Sequence, residues 1–129
     1  MTREWQAAAE RGDAAALRCL LDLGEDVDSL DRFGQTALML AARNGHVEAV
    51  RVLIGAGADL DRTAKYRLSA LMLAVINEHI AIVRLLVEAG AETGIRGTGA
   101  PGFADKTAGD LAEDLGRTSI AELLRGGRG

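Results

Sequence analysis

The chain has 129 residues, enough for one domain with its own core, and its 48% apolar and 26% charged residues match an ordinary soluble globular composition. With one Trp, one Tyr and two Phe, the core has to be built from Leu, Val, Ile and Ala, which favours packed helices over a β-sandwich. The net charge of −4 lacks the basic surplus of a nucleic-acid binder, and the single cysteine, Cys19, excludes an internal disulfide framework and a cysteine-rich metal site.

From the N-terminus, Met1 to Arg11 contains no apolar run that could serve as the core of a signal peptide. The longest apolar run, Ala70 to Ile76, falls far short of the ~20 residues needed to span a bilayer. A cytoplasmic protein without membrane contact is expected. Residues 1–30 carry Trp5, Gly12, Leu20 and Gly24, and seven acids between Glu4 and Asp28 against Arg11 and Arg18.

The next two segments reveal the organisation. Ala37-Leu38-Met39-Leu40-Ala41 returns as Ala70-Leu71-Met72-Leu73-Ala74, and aligning 31–63 with 64–96 gives 13 identities in 33 positions. A fixed period of this length marks a repeat architecture. Shifting back by 33 puts Gly12 under Gly45, Leu20 under Leu53 and Gly24 under Gly57. Going forward requires five extra residues: Thr107 then meets Thr36, Leu111-Ala112 meet Leu40-Ala41, and Gly116 meets Gly45. The insertion falls in the Gly-rich stretch Gly94 to Gly102, and residues 94–104 are expected to be the most mobile internal segment. The chain is thus one domain, 1–129, in four units of approximately 1–30, 31–63, 64–96 and 97–129.

Each unit reads as two short helices. In the second unit the first helix runs from about Thr36, whose hydroxyl can cap it, to about Arg43. Gly45 supplies the positive φ of a tight inter-helix turn, and Val47 to Gly55 forms the second helix, stopped at Gly57. The polar stretch before the next unit is too short for a helix and forms a projecting turn, or finger. Leu71 is expected to be core. The first unit has no finger and places Trp5 at the Leu38 position; the last places Gly109 there, which thins its core.

The run from Asp31 to Asp59, with Thr36-Ala37-Leu38-Met39-Leu40-Ala41 and Asn44-Gly45-His46, resembles the ankyrin repeat nearly position for position over almost the whole chain. The resemblance implies an all-α solenoid of helix-turn-helix units joined by β-hairpin-like fingers, with the first and last units as end caps. Departures from the family pattern are Met39 and Met72 in place of histidine, which removes a polar link in the finger, and Arg67 and Glu78 in place of glycine. A non-Gly residue at left-handed φ costs about 1–2 kcal/mol.

Few features invite chemistry. Gly97-Thr98-Gly99-Ala100-Pro101-Gly102 has the G-x-G-x-x-G spacing of a dinucleotide site, but that fingerprint works only between a strand and a helix N-terminus, and here it follows a helical unit. It reads as a lengthened finger, with nucleotide binding a remote alternative. His46 and His79, one period apart, have no carboxylate or thiol set at metal-ligand spacing, and the resemblance implies structural imidazoles bonded to the neighbouring turn. Cys19 aligns with Val52 and Leu85 and is expected to face the interior. Glu113 and Asp114 are adjacent on a helix and point apart. No catalytic group, metal or cofactor is expected.

What remains is a binding surface. The resemblance implies that finger tips and first-helix ends contact partners: Arg32, Phe33, Gln35, Arg43 and Asn44, then Lys65, Tyr66, Leu68, Ile76 and Asn77, then Phe103 and Lys106. Phe33, Tyr66 and Phe103 fall at or beside finger tips, and with Leu68 and Ile76 they form the kind of apolar cluster that marks an interaction site. Arg32, Arg62, Lys65, Arg67, Arg96 and Lys106 make the finger row basic, so a partner with an acidic patch is expected. The expected role is a protein-interaction scaffold or adaptor, monomeric on its own; the alternative is a dedicated inhibitor or immunity-type protein for one enzyme.

Overall fold

A computed structural model describes residues 1–99 and 102–126. Its elements are α1 (Arg3–Arg11), α2 (Ala14–Asp22), α3 (Ala37–Asn44), α4 (Val47–Gly55), α5 (Ala70–Ile76), α6 (Ile80–Glu88), α7 (Ala108–Asp114) and α8 (Thr118–Gly126). Within each pair the two helices pack together; α1, α3, α5 and α7 stack in one layer and α2, α4, α6 and α8 in a second. No strand forms among the described residues.

The first-layer helices begin alike because a hydroxyl recurs at the same register. Thr2, Thr36, Ser69 and Thr107 accept the main-chain N–H three residues on, from Trp5, Met39, Met72 and Asp110. Each such cap is worth about 1 kcal/mol. At the start of α5 the expected loss of a polar link is corrected: the Met72 thioether accepts the Ser69 N–H at 3.5 Å, a weak bond in the histidine's place.

Small residues let the first-layer helices approach closely. Ala37, Ala41, Ala42, Ala70, Ala74, Ala108 and Ala112 are all buried, with Leu38, Met39, Leu71, Met72 and Leu111 between them. Trp5 fills the Leu38 register at the N-terminal end and is wholly buried, its indole N–H without an acceptor among the described residues. Cys19 corrects the sequence reading, for it is exposed. Its helix α2 packs on α4 alone in the second layer, whereas α4 and α6 each lie between two neighbours.

The inter-helix turns show why glycine recurs. Gly12 and Gly45 have φ of 74° and 80°, and a Cβ on them would lie 2.3 Å from the His46 ring and 2.7 Å from the His79 ring. Each imidazole sits on the preceding turn, with Nε2 2.8 Å from Glu10 O and 3.0 Å from Arg43 O respectively. A carbonyl only accepts, so Nε2 carries the proton in both. The structural reading of the two histidines holds.

At the third interface both partners change together. Glu78 takes the left-handed conformation at φ 62°, and Arg117 stands where a histidine would. Its guanidinium donates to Ile76 O at 3.0 Å and pairs with the Glu78 carboxylate at 3.3 Å. Glu78→Gly should therefore stabilise the chain by about 1 kcal/mol, since the relieved strain exceeds a half-exposed ion pair. Urea titration measures this; a net loss would mean that the Glu78–Arg117 pair outweighs the strain.

Candidate partner-binding face

Among the described residues the second, third and fourth units each project a finger beside the first layer, numbered by its unit, and each closes differently because its residues differ. In the second unit the Asp31 carboxylate accepts from Phe33 N at 2.9 Å and Gln35 N at 2.8 Å, while Gly34 takes φ 76°. This gathers the turn and leaves Phe33 at its tip, 64% exposed. The third unit has Ala64 at the Asp31 position and so no carboxylate to organise the loop. Two overlapping turns close it instead, Arg67 N to Ala64 O at 2.9 Å and Leu68 N to Lys65 O at 3.3 Å. This forces two successive non-glycine residues, Tyr66 and Arg67, to φ of 61° and 58°. The strain expected at Arg67 is present, and Tyr66 shares it.

The lengthened fourth finger leans on the third. Thr98 N donates to Tyr66 O at 2.7 Å, and Gly97 bonds Lys106 O at 2.9 Å and accepts from Asp105 N at 2.8 Å. The Tyr66 ring packs on Phe103 with centroids 5.4 Å apart, and a Cβ at Gly99 would come within 2.9 Å of it. The expectation that 94–104 is the most mobile internal segment therefore narrows: the amides of Gly97 and Thr98, and of Asp105 just beyond it, should show slow hydrogen exchange comparable to helical amides. Fast exchange at all three would refute this. Of the G-x-G-x-x-G stretch, Ala100 and Pro101 lie outside the described residues; Gly97 is buried in a finger, α7 begins only at Ala108, and the strand-to-helix setting of a dinucleotide site is not met.

Between the second and third fingers lies a cleft of about 270 Å³, lined by Phe33, Gln35, Arg43, Ala64, Lys65, Tyr66, Leu68 and Leu73. Six of the twelve expected contact residues meet there. The other six do not. Arg32 lies 5.2 Å from the centroid of the Phe33 ring and does not line the cleft. Asn44 and Asn77 are exposed at the ends of α3 and α5, their amides turned to Glu10 O and Leu73 O. Ile76 is partly buried against the core, Phe103 is the prop behind Tyr66, and Lys106 is tied to Asp114, which raises its pKa by direct hydrogen bonding.

Two exposures differ from expectation. Leu68 is only 7% exposed and forms a wall of the cleft rather than a free surface group. Tyr66 is half-buried, because the five-residue insertion brings Phe103 onto its ring. Ala64 and Leu73 were missed. Their signal was the loss of Asp31's counterpart at position 64, which reshapes the finger and leaves Leu73 half-buried where Leu40 is 1% exposed.

Helix pairs in two stacked layers, joined by projecting fingers, set the architecture. A family model of ankyrin repeats matches residues 5–96 in three copies, 92 of the 129 residues. The chain belongs to the ankyrin-repeat family. No curated protein matches it significantly. The ankyrin match stops at residue 96, at the start of the lengthened finger, yet α7 and α8 continue the stack by packing on α5 and α6. Ankyrin repeats are in general protein–protein interaction modules. No helix among the described residues is long and apolar enough to cross a membrane.

Proposed function

We propose that this ankyrin domain is a scaffold or adaptor that binds another protein through its finger row and first-layer helix ends, and that the partner presents an acidic patch. The observation that carries the reading is the distribution of charge around the cleft. Arg96 and Lys106, at the fourth finger, are paired with Asp105 and Asp114. Arg32, Arg43, Lys65 and Arg67 have no carboxylate partner among the described residues. Four cations without an internal carboxylate partner therefore belong to the same two units as exposed Phe33 and half-buried Tyr66, although the chain is acidic overall. Complementary charge of this kind steers encounter and fixes register.

The reading is non-catalytic, because both histidines are engaged with main-chain carbonyls that hold successive repeats together. The compartment it assigns is the cytoplasm, where a free, exposed thiol such as Cys19 stays reduced. Without its partner the domain is taken as a monomer.

Affinity capture from a lysate of the source organism tests the reading. The immobilised domain should retain a stoichiometric protein that is lost with the pair Arg43→Glu and Lys65→Glu and kept with Arg84→Glu on the second-layer helix α6. Capture indifferent to the first pair would overturn it. An enzyme recovered alone and inhibited by the domain would mark a dedicated inhibitor rather than a scaffold.

A further inference from the structure

We infer that the cleft between the second and third fingers receives one large apolar side chain from an extended, acidic segment of the partner, rather than a flat acidic patch of a folded surface. The inference rests on the finger row being the partner-binding face and goes further, to the chemistry of the bound segment.

Size is the first argument. An apolar cavity of about 150 Å³ admits a benzene molecule. At about 270 Å³, a cleft open on one side accommodates a single aromatic or leucine side chain with its stem. A docked helix would need a groove with anchors at i, i+3 or i+4, and i+7, which one cavity of this size does not supply.

Lining is the second. Leu68 and Leu73 give it apolar walls, exposed Phe33 stands on one side, and Tyr66 stands on the other, braced from behind by Phe103. A braced ring loses little side-chain freedom when a ligand packs on it, so that half of the pocket is pre-organised.

The rim is the third. The Lys65 ammonium lies 5.0 Å from the Tyr66 centroid, and both residues line the cleft; Arg32 lies 5.2 Å from the centroid of Phe33, which forms another part of its wall. Arg43 is a second cation lining the same space. Carboxylates placed on either side of a buried apolar residue would meet these cations in sequence.

The test is selection of random linear peptides displayed on phage against the full chain, followed by fluorescence anisotropy of synthetic winners with wild type, Phe33→Ala, Lys65→Glu and the Arg84→Glu control. Circular dichroism confirms that each variant is folded. The expected winners carry one Phe, Trp or Leu between Asp or Glu residues. Their affinity should fall at least about tenfold on replacing that residue by Ala, and comparably with Lys65→Glu and Phe33→Ala. It should also fall as salt rises and screens the rim charges. Winners that are neutral or basic, but still lost with Phe33→Ala, would overturn the inference and leave the binding face standing. Winners indifferent to both cleft variants would sink the inference and the choice of face together. Absence of any enrichment would also overturn the inference, leaving lysate capture to judge the face.

Discussion

Leu71→Ala is expected to lower the stability of the domain by about 2–5 kcal/mol, the range for truncating a buried leucine. Leu71 is 1% exposed in α5, which packs against α3, α6 and α7, so the cavity would open at the centre of the stack. Its neighbours offer little means of collapse. Ala70 and Ala74 on the same helix are already small, and the Met72 thioether is engaged with the Ser69 N–H. A solenoid couples only adjacent units, so loss at an internal repeat also separates the two ends. Urea unfolding would show a lower midpoint, with a shallower slope if the outer repeats begin to melt separately. Leu115→Ala is the matched control: at 44% exposed, it should change stability by no more than about 0.5 kcal/mol. A loss below about 1 kcal/mol at Leu71 would place the helix off its assigned register.

The parts of this fold that were legible in the sequence are those fixed by residues within one period. Thr36 caps α3, Gly45 turns at φ 80°, and α4 spans Val47–Gly55, because caps, left-handed turns and apolar faces are local chemistry repeated at a fixed interval. Contacts that cross from one repeat to the next were less so. The Tyr66–Phe103 pair depends on how five inserted residues fold back, and no period constrains an insertion. The resemblance puts Leu68 among the partner-contact positions, but with Ala64 in place of an Asp31 counterpart the third finger closes differently and Leu68 is buried. Alignment with Val52 and Leu85 points Cys19 to the interior, but in α2 that register faces the open end of the second layer. The same limits apply to the candidate site. Phe33, Arg43, Lys65 and Tyr66 could be named from their positions, whereas their convergence on one cleft required the finger geometry.

Phe33 and Tyr66 should prove unequal in stability and alike in binding. From the sequence, changing both to alanine would leave stability within about 1 kcal/mol, since both sit at finger tips. The structure keeps that expectation for Phe33, which is 64% exposed and meets Arg32 at its face. It revises it for Tyr66. Phe33→Ala should therefore stay within about 0.5 kcal/mol of wild type, as other exposed changes do. Tyr66→Ala should cost about 1–2 kcal/mol, because it ends an aromatic pair worth about 0.5–1.5 kcal/mol and uncovers Phe103. The left-handed φ of 61° remains with alanine, so no strain is recovered to offset that loss. For a partner recovered by capture, each single change should weaken binding, and the double change should weaken it by about 2 kcal/mol or more, as for aromatic anchors at the centre of an interface. Calorimetric titration of that partner, alongside thermal unfolding of each variant, separates the two effects. If Phe33→Ala leaves partner affinity unchanged while Tyr66→Ala lowers both affinity and melting temperature, the third and fourth fingers carry the interface, and the wall formed by Phe33 does not.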